Sequence, residues 1–255
     1  MEPIDWAANA LLSEIEFSKA LKSQPTTYPC FIHLYNPHVP WGGDYNRAVG
    51  VKLTDFESFD GVDAQVAEIH RQKGLEPPDR FDIAPPALDE IKWQEYLTPR
   101  GYTLRTAIFF QASTQPVELP AGFTLYHPST DEYMAWYIKL AEEQGYAAAD
   151  WFQPSLSLKE NFSHVFQPYW LIRGEEQVGW VYAAHLGDFS RLFEVEIKQQ
   201  FQRQGLGRLL MQAVIAEGYS QGTRHILLQT SDRLRPFYEK CGFHECTRNS
   251  IIRLK

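Results

Sequence analysis

Gln202-Arg203-Gln204-Gly205-Leu206-Gly207 is the stretch of this 255-residue chain whose residue types and spacing most clearly point to chemistry. It follows an apolar-alternating segment, Leu192 to Ile197, expected as a strand, and opens an amphipathic one, Leu206 to Ala216, expected as a helix. A helix start leaves its first backbone N–H groups without intrahelical partners and carries partial positive charge. A strand, a glycine turn and a helix in that order therefore form an anion site. Glycines also remove the Cβ atoms that would keep a phosphate from the amides. Between Ile197 and Ala216 stand Lys198, Arg203 and Arg208 and no Asp or Glu, in a chain of net charge -8. Two phosphate binders are excluded by spacing. No Lys-Ser/Thr follows, as a P-loop requires, and Leu210 stands where a dinucleotide fingerprint needs its third glycine.

A second constellation lies on the preceding strand. Glu194 and Glu196 are two residues apart, so regular alternation puts both on one face. Charged side chains on a central strand are costly unless they face a cleft or a partner. One of them is therefore a candidate general base; the alternative is that both are solvated or pair with Arg191 or Arg173. His185, at the end of its strand, is a further candidate with a pKa in the useful range.

The elements that must position these groups can be read on both sides of a linker. Residues 113–121 are polar, carry Pro116 and Pro120, and lack any period. After them, Phe123–Tyr126 is an expected strand, Asp131–Glu143 a helix with Thr130 as its cap, and a second helix runs from about Ser155 to Phe166. Tyr169–Arg173 and Gln177–His185 are expected to pair around Gly174-Glu175-Glu176. The strand and helix of the glycine motif come next, then a strand at Arg224–Gln229, a helix at Leu234–Cys241 and a last strand or hairpin ending at Lys255. Upstream, Arg47–Leu53 is an expected strand and Val62–Lys73 a helix.

Composition bounds the function. At 44% hydrophobic residues the chain is expected to be globular, with one large domain or two ordinary ones. Cys30, Cys241 and Cys246 show no metal-ligand spacing and argue for neither disulfides nor zinc. Met1–Leu12 lacks the charge pattern of a secretory leader, and no apolar run approaches a membrane span, so a cytoplasmic protein is expected. Residues 1–120 carry 10 Lys+Arg against 17 Asp+Glu, and residues 121–255 carry 14 against 15. That acidic balance disfavours nucleic-acid binding and is compatible with drawing in amines.

Gln/Arg-x-x-Gly-x-Gly at residues 202–207, with Arg235-Pro-Phe-Tyr-Glu-Lys-Cys-Gly-Phe243 about thirty residues later, resembles the GNAT N-acetyltransferase superfamily. The likeness covers residues 122–255, and the element order agrees with it. The resemblance implies an α/β (α+β) fold with a mixed, mostly antiparallel twisted sheet flanked by helices, and acetyl-CoA as co-substrate. It implies that the backbone from Gln202 through Arg203, Gln204, Gly205, Leu206 and Gly207 to Arg208 holds the pyrophosphate. The strand end at Ile197 would lie beside the pantetheine arm, and the core strand would splay from its neighbour there. Tyr238 would be the acid that protonates the departing thiolate. Ser231 would also contact the cofactor, more weakly than the Asn that the family often has at that place. The acceptor, a small-molecule, amino-acid or peptide amine, would lie between the first two helices and the strand pair after them, among aromatics such as Trp136, Tyr137, Trp151, Phe166, Trp170 and Trp180. Half or more of those aromatics are expected to be core.

The first half echoes the second. At a constant offset of 141, Gly101-Tyr102 aligns with Gly242-Phe243, and Leu97 stands where Tyr238 stands. Its strand-to-helix connection, Thr54–Gly61, has no Gly-x-Gly and carries Asp55, Glu57 and Asp60 instead of positive charge. The expected organisation is a tandem GNAT-like fold: residues 1–112 a degenerate copy without a CoA loop, 113–121 the linker, 122–255 the catalytic domain. An N-acetyltransferase is expected, without a metal, and a homodimer is compatible with it. A non-catalytic CoA-binding or sensing module is the alternative. An aminoacyl-tRNA-dependent transferase fits less well, because it needs no CoA loop and usually has a basic surface.

Overall fold

The computed structural model describes residues 4–40, 45–143 and 166–255. They fall into two compact units, Met1–Ile108 with Cys246–Lys255, and Phe109–Glu245.

In the first unit, helix α1 (Trp6–Ala20) starts where the Ala8 N–H donates to Asp5 Oδ1 at 3.0 Å. Strands β1 (Gln24–Thr27), β2 (Ile32–Tyr35) and β3 (Arg47–Val51) are antiparallel neighbours. Helix α2 (Phe56–Lys73) then crosses over to β4 (Arg80–Ile83), which runs parallel to β3. Phe59, Val62, Val66 and Ile69 form the apolar stripe of α2 and pack with Phe81, Ile83 and Ile252 in the core. Helix α3 (Glu90–Leu97) and a 3-10 turn (Thr98–Arg100) lead through Gly101, at φ +82°, into β5 (Tyr102–Ser113). Buried Arg47 is held by Glu14 at 2.7 Å and by Asp82 at 2.9 Å, which compensates its charge.

The second unit repeats this plan. Strands β6 (Phe123–Tyr126), β7 (Phe166–Arg173), β8 (Glu176–Leu186) and β9 (Phe189–Ile197) are antiparallel, with helix α4 (Thr130–Glu143) between β6 and β7 in sequence. Helix α5 (Leu206–Ser220) crosses over to β10 (His225–Thr230), parallel to β9; helix α6 (Arg235–Lys240) and the turn at Gly242, φ +88°, lead to β11 (His244–Leu254). Each unit is thus a mixed, mostly antiparallel sheet with flanking helices, and together they form the tandem fold.

Several expectations need correction. The cap of α4 is Ser129, whose Oγ accepts from the Glu132 N–H while the Ser129 N–H donates to the Glu132 carboxylate. Phe166 opens β7 rather than closing a helix; the rest of the expected helix, with Trp151, lies outside the described residues. Helix α2 begins at Phe56, a turn and a half before the expected Val62, because Asp55 and Ser58 form a capping box. The halves also divide elsewhere than expected. Residues 109–113 of β5 belong to the second unit, and residues 246–254 of β11 belong to the first, where Ile252 registers against Phe81 of β4. Residues 114–120 carry no regular element.

Candidate active site

The glycine loop is a tight, internally braced turn. After a 3-10 turn at Gln199–Phe201, anchored by buried Phe201, Gln202 is extended and Arg203 takes φ +61°. Gly205 then caps α5 at φ +78°, and no side chain caps the first turn of that helix. The Gln202 amide donates to the Ile197 carbonyl at 3.0 Å, and the Gln204 amide to the Gln200 carbonyl at 3.2 Å. These two side chains therefore shape the loop; the Gln202 N–H is itself taken by the Gln199 carbonyl at 3.3 Å, and Arg203 is exposed.

The two glycines have different physical reasons, and clearing a path to the amides is not the reason shown for either. A Cβ at Gly205 would meet nothing within 4 Å, so glycine is required there by the left-handed backbone. A Cβ at Gly207 would lie 3.1 Å from the Phe237 ring, so that glycine lets α5 and α6 approach. Arg173, at the end of β7, is a cation the sequence did not connect to this loop. Its guanidinium lies 4.9 Å from the Phe201 ring centre, and its Nη1 donates to Gln204 Oε1 at 3.4 Å.

The end of β9 is the second part. Register between β9 and β10 runs from Phe189 opposite His225 to Leu192 opposite Leu228 and stops there. Phe193–Ile197 thus have no partner on β10, which is the expected splay and leaves backbone groups for an extended ligand. On the other edge, Phe193 registers with Tyr182 and Glu196 with Trp180, so Glu194 and Val195 together oppose Val181. This is a β-bulge, with Glu194 at φ +48°. Ile197 lies close against Gly179, where a Cβ would come within 2.5 Å of its Cδ1.

The bulge breaks the regular alternation assumed for Glu194 and Glu196, yet keeps the two carboxylates within electrostatic reach of each other. Both reach solvent, but partial burial raises the carboxyl of each above its usual range, and for Glu194 the charge of Glu196 adds to the rise. Neither makes an ion pair among the described residues: Arg173 is at the loop, and buried Arg191 stacks over Phe109 and Phe193 and donates to Gln229 at 3.1 Å. His185 is engaged elsewhere. Its Nδ1 lies 2.7 Å from Ser190 Oγ and its Nε2 3.1 Å from the Tyr169 hydroxyl, and burial lowers its pKa.

Tyr238, on α6, is 6% exposed and packed among Phe110, Phe237 and Phe243. Burial pushes its phenol up to about 12, so it keeps its proton at neutral pH. Ser231 is exposed and starts the 3-10 turn before α6. The neighbouring Asp232 is taken by Arg235, whose Nε and Nη2 donate to it at 3.0 and 2.9 Å.

Helix α4 lays aromatic side chains on the face of β7, β8 and β9 that bears these carboxylates. Trp136 lies 5.7 Å from Trp170 and 5.1 Å from Trp180, and Tyr133 lies 5.6 Å from Tyr182. Phe166, Tyr169 and Trp180 are core, as half of the set was expected to be, while Trp136, Tyr137 and Trp170 remain partly exposed. Tyr133, Tyr182 and Phe193 belong to this cluster and were not singled out from the sequence. The i, i+3, i+4 spacing of Tyr133, Trp136 and Tyr137 was the available signal.

The first unit lacks both openings. Asp55 occupies the amides at the start of α2, accepting from the Ser58 N–H at 2.8 Å. Strands β3 and β4 stay paired to their last residues, Val51 with Ile83, and the Ala84 N–H donates to the Val51 carbonyl at 2.8 Å beyond them. Leu97 is buried core where the other unit has Tyr238.

An open strand end beside an uncapped glycine turn, with a buried tyrosine on the next helix, is the arrangement that the resemblance to GNAT acetyltransferases implies. Residues 142–252 match the family model of the acetyltransferase (GNAT) domain. The whole chain resembles a GCN5-related N-acetyltransferase from Kribbella flavida at a TM-score of 0.65, with 16% identity over 96% of this chain and 95% of that one. A functionally unknown conserved protein from Staphylococcus epidermidis gives 0.66, with 13% identity over 92% and 95%. A tandem GNAT protein from the clavulanic acid biosynthesis pathway gives 0.50, with 11% identity over 96% and 94%. The chain thus has a tandem GNAT-like fold, and residues 142–252 of its second half match the GNAT acetyltransferase domain. Among the described residues, no helix is long and apolar enough to cross a membrane, and no three His, Cys, Asp or Glu residues are grouped to hold a metal.

Proposed function

We propose that the second unit is an acetyl-CoA-dependent N-acetyltransferase acting on an amine, and that the first unit is a non-catalytic copy. The observation that carries this is the coincidence, at one end of β9, of an unpaired strand edge from Phe193 to Ile197 with the uncapped start of α5. The amides from Arg203 to Arg208, with the Arg203 and Arg208 side chains, are suited to a pyrophosphate, whereas the Gln202 N–H is taken by Gln199. The free edge of β9 suits a pantetheine arm, which carries amides of its own. Acetyl-CoA supplies the activated acetyl group. We take Glu194 as the base, because burial and the charge of Glu196 both raise its carboxyl and make it a stronger proton acceptor. It takes the proton of the substrate ammonium, directly or through a water. The amine nitrogen then bonds to the acetyl carbon as the carbon–sulfur bond breaks, and Tyr238 gives its proton to the sulfur.

The acceptor is a small molecule or a peptide terminus rather than a nucleic acid, in keeping with the net charge of -8. The test is release of free thiol from acetyl-CoA with a panel of amines. Amine-dependent release is expected. Tight acetyl-CoA binding with release no faster than hydrolysis across the panel would instead make the protein a CoA-binding module.

A further inference from the structure

We propose that the acceptor is an amine with no carboxylate beside its amino group, such as an alkyl or arylalkyl amine, and that Glu194 and Glu196 exclude free α-amino acids. This rests on the acetyl-transfer reading of the site. The two carboxylates stand at the bulge of β9 with no cation against either among the described residues, so a ligand there meets two negative charges. Beside them is an aromatic wall of Trp136, Trp170 and Trp180. An aromatic face next to uncompensated carboxylates favours a cation carrying an apolar body.

An independent observation marks the same place as a ligand site. The Tyr182 hydroxyl is on a side chain 2% exposed, next to Tyr133 and within reach of the Glu194 charge, and it has no hydrogen-bond partner of good geometry among the described residues. A buried polar atom without a partner is costly, and such atoms recur where a ligand or water completes the bond.

During transfer one carboxylate, Glu194, becomes neutral by accepting the ammonium proton, while Glu196 stays charged beside the nitrogen. An α-carboxylate on the substrate would lie next to that charge. Like charges brought together in a partly desolvated site suppress binding of the wrong partner. An amide or a hydrogen in place of the carboxylate removes the repulsion.

The experiment compares phenethylamine, phenylalaninamide and phenylalanine, which share a ring and an amino group. Acetyl-CoA binding is measured first by calorimetry. Each amine is then titrated into CoA-saturated protein and assayed for thiol release, with wild type and Glu196→Gln. Phenethylamine and phenylalaninamide are expected to bind and turn over, with phenylalanine at least about tenfold worse in kcat/KM. Glu196→Gln should narrow that gap, mainly through KM for phenylalanine. Equal use of phenylalanine and phenethylamine, or a gap that Glu196→Gln leaves unchanged, overturns the inference while leaving the acetyl-transfer reading intact. Binding of acetyl-CoA with neither binding nor turnover of all three amines overturns it as well. Failure to bind acetyl-CoA overturns the reading on which it rests.

Discussion

Tyr238 and Glu194 are given opposite protonation states by the same physical cause. Burial disfavours the charged form of each, which holds the phenol protonated at about 12 and raises the carboxyl toward neutrality. One side chain is thereby kept as a donor and the other made a better acceptor. Tyr238→Phe removes the proton but keeps the ring among Phe110, Phe237 and Phe243. Turnover should fall by roughly ten- to a thousandfold with little change in acetyl-CoA affinity, and a variant with full turnover would reduce Tyr238 to a packing residue. Glu194→Gln should cost about a hundredfold or more in turnover and should also stabilise the fold near neutral pH. The sign follows from the raised pKa: above it, the folded protein carries a poorly solvated charge that the unfolded chain keeps in water. Below the ordinary carboxyl range both states are protonated and the advantage disappears. Melting temperatures of both proteins at pH 8 and pH 3.5 check this, and a Glu194→Gln protein less stable at pH 8 would contradict it.

At the scale of the element, a helix start and a strand end become a site only through what they are denied. Helix α2 fills its own N-terminus with Asp55, while α5 begins at a glycine that brings no acceptor. Strand β9 parts from β10 at Leu192, while β3 and β4 pair to the end. Because a Cβ at Gly205 meets open space, substitution there separates backbone strain from charge. Gly205→Ala should cost about 1 kcal/mol of stability for its left-handed backbone and leave acetyl-CoA binding nearly intact. Gly205→Glu should weaken binding by at least about tenfold more than Gly205→Ala, because a carboxylate would compete at the anion site. Calorimetric titration of the two folded variants reads this difference; equal affinities would make the loop a turn and no more.

For the molecule as a whole, two units built on one plan differ at the proposed cofactor site. Acetyl-CoA should titrate to one site per chain, because only the second unit has the open strand edge and the uncapped helix. Two equivalent sites would show that the first unit still binds. Stability should fall in mild acid through the first unit. His33 is fully buried there, its ring 5.1 Å from that of His70, and both its nitrogens lack partners among the described residues. Burial, with His70 and Lys73 nearby, lowers its pKa from 6.5 to about 4. Below pH 6.5 the unfolded chain takes up a proton that the folded unit refuses, so stability drains away between pH 6.5 and 4. His33→Leu should shift acid unfolding, followed by circular dichroism, to lower pH; an unmoved transition would clear His33 of the role.

The sequence by itself determined what is local. The glycine loop, the amphipathic helix after it, the hairpin at Gly174, the turn at Gly242 with its echo at Gly101, and the charge pattern each lie within a few residues, so propensity and period expose them. The tertiary structure decided what depends on distant strands. It decided where β9 leaves β10, because pairing ends through register between strands separated by a helix. It also placed the bulge at Glu194, which appears only when Phe193 and Glu196 are counted against Tyr182 and Trp180. Arg173 reaches the loop through a strand hairpin, and Gly207 is required by a ring on another helix. The last strand packs in the first unit because Ile251 and Ile252 are buried there, opposite Asp82 and Phe81 of β4. No periodicity in residues 246–254 names that partner: a strand's pattern specifies which face is apolar, and only the assembled sheet selects the neighbour.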